Sequence, residues 1–210
     1  MKIFTEFKQG EPAWFEFRRG RITASNMDRI MTAKQCKLSA ASREYLCELI
    51  GEKATPELSL VPQGYVSPAA LNGSLLEPEA RAFYEMTHNV SVLEVGACLS
   101  DCERFSCSPD GLVGDEGGIE LKCVQPKTQV KYLLDEGQSL LDDYKIQVAG
   151  CLIVTGRKWW DLMSYCRGLD PVVLRVVPDE FSAKLLAVLN EFWKSYQEAE
   201  AKIYKRRIAA

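Results

Sequence analysis

Asp110, Glu120 and Lys122 are the residues of this chain whose types and spacing could do chemistry. They lie in CSPDGLVGDEGGIELK, which runs from Cys107 to Lys122. Within it, Gly111, Gly114, Asp115, Gly117 and Gly118 form a turn-rich spacer between Asp110 and a short apolar run. Glu120 and Lys122 stand two apart, so on a strand both side chains point to one face. The pattern predicts a hairpin, with one strand ending near Asp110 and its neighbour carrying Ile119 to Val124, closed by Pro126 and Lys127. Two carboxylates and an ammonium would then converge at one edge of a sheet. Carboxylates are hard oxygen ligands suited to Mg²⁺, which needs one or two of them and keeps waters for a substrate phosphate. A lysine beside the ion could hold or help deprotonate an attacking water, as phosphodiester hydrolysis requires. The same residues also fit a surface hairpin of solvated charges, and spacing alone does not separate the two.

The elements that must position these residues can be read in order. Pro12 to Arg19 predicts a short helix, with proline in its first turn and Gly20 ending it. Ser25 follows as the N-cap of a helix through Met27, Ile30 and Met31. Arginines beside a hydroxyl-capped helix start could receive a phosphate, or could simply be a cap and solubilising charges. Residues 39–50 predict a helix with Leu46, Leu49 and Ile50 inward, and 55–70 a proline-rich irregular connection. After Gly73 a helix is expected, on which Arg81 and Glu85 form an i,i+4 ion pair. Glu77 joins the Asp110 hairpin only if its end of that helix faces it.

Residues 90–99, 105–108, 119–124, 159–165 and 172–177 predict strands, and 144–154 a buried helix containing Gln147. Asp179 caps a long amphipathic helix through Phe181, Leu185, Leu189, Trp193 and Tyr196. Helices and strands alternating around one sheet imply an α/β (α+β) fold, a single domain over residues 1–210.

Composition excludes other classes. The chain has 210 residues, 47% hydrophobic and 26% charged, as expected of a globular domain. No run of about eighteen apolar residues is present, so no membrane span is expected. The start, MKIFTEFKQGEP, lacks an apolar signal core, so a cytoplasmic protein is expected, with its eight cysteines as reduced thiols. Those cysteines form no CxxC pair and the single histidine, His88, has no second one beside it, which speaks against structural zinc. The net charge of −3 argues against indiscriminate coating of nucleic acid, although Arg18, Arg19 and Arg21 cluster locally.

Five blocks, GEPAWFEFRRGRITAS, GSLLEPEARAFYE, CSPDG, GIELKC and YKIQVAG, occur in order over residues 10–150. In that order and rough spacing the chain resembles the phage lambda exonuclease and YqaJ-type recombination nucleases, members of the PD-(D/E)XK superfamily. The resemblance implies a restriction-endonuclease-like core, a central mixed β-sheet flanked by helices. It implies Asp110, Glu120 and the Leu121 carbonyl as metal ligands, with Glu77 helping to hold a second ion. Lys122 would position the water, and Gln147 would act beside it. Arg18, Ser25, Ser108 and Gln147 would form a pocket for a 5′-terminal phosphate. The implied activity is 5′→3′ hydrolysis of one strand of linear double-stranded DNA, releasing mononucleotides and leaving a 3′ single strand. The implied cofactor is Mg²⁺, two ions, with Mn²⁺ able to substitute. The implied assembly is a homotrimer ring, and the implied partner a phage single-strand annealing protein inside a bacterial host cell. The sequence departs from the pattern at Arg19, where lambda exonuclease is apolar, and in the proline-rich loop at 55–70. A structure-specific or nicking endonuclease on the same core and a non-enzymatic DNA-end-binding module are the alternatives. An iron–sulfur nuclease would need a C-terminal cysteine triplet, and no cysteine follows Cys166.

Overall fold

Glu120 sits on a strand with sheet on both sides, and the rest of the fold follows from what covers that sheet. The computed structural model describes the backbone of residues 1–56 and 68–208, and the side chains of 1–56 and 75–205. In chain order the elements are β1 (Lys2–Phe4), α1 (Pro12–Arg18), β2 (Ile22–Thr23), a 3-10 turn (Ala24–Arg29), β3 (Met31–Thr32) and β4 (Lys37–Leu38). Then come α2 (Ser42–Ala54), α3 (Pro68–His88), β5 (Val92–Leu93), β6 (Ala97–Leu99), β7 (Phe105–Cys107), β8 (Gly111–Val113) and β9 (Gly117–Cys123). The chain continues with α4 (Pro126–Leu134), α5 (Gln138–Thr155), β10 (Trp159–Tyr165), β11 (Val172–Val176) and α6 (Glu180–Ile208).

The central sheet is mixed and five-stranded, in the order β11-β10-β9-β8-β5. Only β9 and β10 run parallel, in register from Trp159↔Gly117 to Tyr165↔Cys123. A parallel neighbour needs a crossover, and α4 and α5 supply it. The two-residue period of β9 divides its side chains. Ile119 and Leu121 join Ala80 and Tyr84 of α3 in one apolar cluster, so Glu120 and Lys122 project toward the opposite side, where α5 packs. That side holds the main core, with Trp160 and Leu162 of β10, Val148 and Leu152 of α5, and Leu185, Leu189 and Phe192 of α6. Gly118 is required by the packing there: a Cβ would lie 2.4 Å from the ring of the fully buried Trp160. Buried Arg157, just after α5, donates to the carbonyls of Gly114 (2.7 Å) and Gly117 (2.6 Å) and so pins the β8–β9 turn.

Several expectations are corrected. The single sheet is joined by a second, four-stranded one (β1-β6-β7-β2) and a β3–β4 ribbon. Residues 90–99 form not one strand but β5 and β6 in different sheets. The chain changes sheet at Gly96, where a Cβ would lie 2.2 Å from the Phe7 carbonyl oxygen. The first strand of the hairpin, β8, begins just after Asp110 rather than ending near it. Ser25 lies inside the 3-10 turn, whose cap is Thr23, because its hydroxyl is taken by Arg18. Arg81 pairs with Glu94 (2.9 Å), while Glu85 accepts from the Val92 amide (2.7 Å). Helix α3 starts at Pro68, before Gly73, and α4 was not anticipated. Residues 57–67 of the proline-rich connection lie outside the described residues. Asp179 caps α6 as expected, accepting from the Ser182 amide at 2.8 Å.

Candidate active site

Strand β8 reaches β9 only as far as Gly111↔Ile119, so the edge of β9 beyond Ile119 is open on that side. The residue just before β8 fills the gap with its side chain: the Asp110 carboxylate accepts the Leu121 amide at 2.7 Å. One hydrogen bond of the sheet ladder is thus made by a carboxylate, which places Asp110 beside Glu120. Glu120 is only 3% exposed. Its Oε1 accepts from Lys122 Nζ at 2.8 Å and from the Gln147 amide, while Lys122 also donates to Gln147 Oε1 at 3.3 Å. The Tyr144 ring lies 4.5 Å from the Lys122 ammonium.

The electrostatics follow from burial. Desolvation, then the neighbouring Glu120, push the Asp110 carboxyl well above its usual range. Burial also raises Glu77, against the pull of Arg81 and Lys122. Burial opposes the charge on Lys122, but Glu120 and Asp110 outweigh it and hold the ammonium above its ordinary value.

The residues expected to receive a phosphate are positioned by α1 and the 3-10 turn. Trp14 and Arg18 are one helical turn apart, so the guanidinium stacks on the indole, 4.4 Å from its centroid. Arg18 then donates to Ser25 Oγ at 3.0 Å and Thr23 Oγ1 at 3.3 Å, and Trp14 Nε1 donates to Ser108 Oγ at 2.8 Å. Burial lowers the Arg18 pKa from its usual value. The turn carrying Ser25 comes close to Gln147 because Gly150 of α5 has no Cβ, which would lie 2.6 Å from Met27 Sδ and 3.1 Å from Ala24 Cβ.

All the predicted site residues, Arg18, Ser25, Glu77, Ser108, Asp110, Glu120, Leu121, Lys122 and Gln147, line one cavity of about 230 Å³. Trp14, Gln9 and Tyr144 are the residues that sequence reasoning missed. The i,i+4 spacing of Trp14 and Arg18 was a usable signal. Gln9, which donates to the Pro109 carbonyl at 3.0 Å across the fold, left none.

The donor set suits a hard divalent cation. Glu120 Oε2 is buried with no hydrogen-bond partner, and two carboxylates sharing a dry site stay ionised together only beside a cation. Among the described residues no three carboxylate, thiol or imidazole side chains cluster tightly enough to cage an ion by themselves. That is compatible with Mg²⁺, which completes its shell with carbonyls, water and substrate phosphate.

A mixed sheet whose central strand carries Glu120 and Lys122, with Asp110 just before the neighbouring strand, is the core of a restriction-endonuclease-like protein. A model of the YqaJ-like viral recombinase domain matches residues 13–158, and the chain belongs to that family. Among solved structures it is similar to an alkaline exonuclease, LHK-Exo, from Laribacter hongkongensis. The identity is 31% and the TM-score 0.79, with 95% of this chain and 98% of that one covered. The structure of LHK-Exo in complex with dAMP aligns with the same figures. A phage-related exonuclease from Haemophilus somnus, 13% identical, shares the fold, with a TM-score of 0.68 over 90% of this chain and 99% of that one. None of the curated proteins compared with the chain matches it.

Proposed function

We propose that this protein is a Mg²⁺-dependent exonuclease that degrades one strand of linear double-stranded DNA from its 5′ end, releasing mononucleotides and leaving a 3′ single-stranded tail. The observation that carries this reading is the shared cavity, in which a candidate metal site and a candidate terminal-phosphate pocket adjoin. Membership of the viral recombinase family and the likeness to an alkaline exonuclease support it.

Asp110, Glu120 and the Leu121 carbonyl would hold one ion, and Glu77 would help hold a second. When bound, Mg²⁺ supplies Lewis-acid activation of water and charge neutralisation at the phosphate. The side chains of this chain do the rest. Lys122 orients the attacking water and offers positive charge to the developing oxyanion. Gln147 fixes Glu120 and Lys122 relative to each other through its amide. Arg18, Ser25 and Ser108 receive the terminal phosphate, which sets the distance from the strand end to the scissile bond. An enzyme that reads a 5′-phosphate and must regenerate one for the next turn breaks the P–O3′ bond. Water oxygen joins phosphorus, and the 3′-oxygen leaves with a proton on the released nucleotide.

The assembly belongs to the same proposal: a homotrimer ring around the duplex, its basic groups turned inward, handing the 3′ tail to a phage single-strand annealing protein in the bacterial cell. Such a ring would let a chain with net charge −3 hold DNA. No helix among the described residues is long and apolar enough to cross a membrane. The test is product analysis on a linear duplex labelled at one 5′ end. With Mg²⁺ the first labelled product should be a mononucleotide, and EDTA should stop its release. Labelled fragments many nucleotides long would favour the endonuclease reading instead.

A further inference from the structure

Among the described residues, three larger cavities share lining residues with the catalytic one, and that of about 480 Å³ shares Trp14 and Arg18 with it. Toward the phosphate pocket, a cavity of about 610 Å³ shares Ala24, Ser25 and Gln147 with it. Past the carboxylates, a cavity of about 530 Å³ shares Gln9, Glu77 and Asp110 with it. Under the proposed function, the terminal nucleotide spans from Arg18 and Ser25 to Asp110 and Glu120. The strand must then continue past Asp110, into the cavity of about 530 Å³.

The cations of that cavity are Lys8 and Arg81. Lys8 is exposed, and its ammonium has no ion-pair partner among the described residues. Arg81 donates to the Asp110 carbonyl at 3.3 Å and pairs with Glu94 at 2.9 Å. Its own side chain is 13% exposed and that of Glu94 is 70% exposed, so solvent weakens the ion pair from the carboxylate side. Gln9 ties the rim to the site by donating to the carbonyls of Pro109 (3.0 Å) and Ser108 (3.3 Å). A cation on a rim bolted to the loop that bears Asp110 is placed to read the next phosphate along the strand.

We propose that Lys8, together with Arg81 of the same cavity, binds the phosphodiester immediately 3′ of the scissile one, a second phosphate subsite that keeps the strand in register between turnovers. This assignment rests on the exonuclease reading. It is tested by the release of the first nucleotide from a duplex with one neutral methylphosphonate at the second linkage from the 5′ end. For wild-type protein the KM of first release should rise roughly two- to fivefold, the scale of one exposed ion pair. Lys8→Ala should show the same rise on unmodified DNA and no further rise on the methylphosphonate, because the two changes remove one interaction. Lys8→Ala should also reduce the steepness of the salt dependence by about one phosphate contact. Independent, multiplying penalties would overturn the subsite and leave the exonuclease standing. No release from unmodified DNA by wild-type protein would overturn both.

Discussion

At the scale of single residues, the candidate site is built on carboxylates kept where they repel each other. Asp110 and Glu120 are held by a backbone amide, a lysine and a glutamine, and a bound cation would offset their repulsion. Asp110→Ala or Glu120→Ala should lower nuclease turnover by roughly a hundredfold or more, the scale of losing one transition-state electrostatic contact. Circular dichroism should show the fold retained, and substantial activity in either variant would contradict the assignment. Arg18→Ala should act differently. Because its guanidinium meets Ser25 and stacks on Trp14, its loss should abolish the preference for phosphorylated over hydroxyl 5′ ends while a hydroxyl end is still cut. Competition between the two ends in one tube measures this. The grouping of Asp110, Glu120 and Lys122 was legible in the sequence because chemistry restricts the residue types that can share such a site and a strand's period of two places Glu120 and Lys122 on one face. Gln9 was not, since a glutamine reaching a carbonyl about a hundred positions away leaves no local pattern.

At the scale of elements, the turn carrying Ser25 is seated by a glycine on another element. Gly150→Ala should push Met27 and Ala24 away from α5 and cost roughly 1–3 kcal/mol, as overpacking of a filled core does. Urea unfolding measures the loss, and the same variant should bind phosphorylated ends more weakly because Ser25 moves with its turn. Unchanged stability would mean that the turn yields freely and does not hold Ser25 in place. Long periodic elements were readable: α5, β10 and α6 lie near where their apolar spacing placed them. The short ones were not. Ser25 looked like a helix cap because serine is a common one, yet Arg18 takes its hydroxyl and the turn is 3-10. Residues 90–99 looked like one strand because alternation is a local property, whereas the switch between sheets is dictated by how closely Phe7 approaches Gly96. Arg81 could reach either Glu85 or Glu94, and only the packing of β5 decides, since the Val92 amide takes Glu85.

At the scale of the whole molecule, one sheet collects residues from the beginning, middle and late parts of the chain into a single cavity. Arg18 and Ser25 come from the first helix and turn, Glu77 from α3, Asp110 to Lys122 from the central hairpin, and Gln147 from the crossover helix. Under the proposed function, a cavity that joins a terminal-phosphate pocket to a metal site would measure one nucleotide from a strand end, and that would separate an exonuclease from an endonuclease built on the same core. The most direct test is digestion of linear duplex DNA carrying 5′-phosphate or 5′-hydroxyl ends, alongside a closed circle, with Mg²⁺. Loss of one strand with strong preference for phosphorylated ends, and an untouched circle, is the predicted result. Cutting of the circle, or equal attack on both kinds of end, would contradict it.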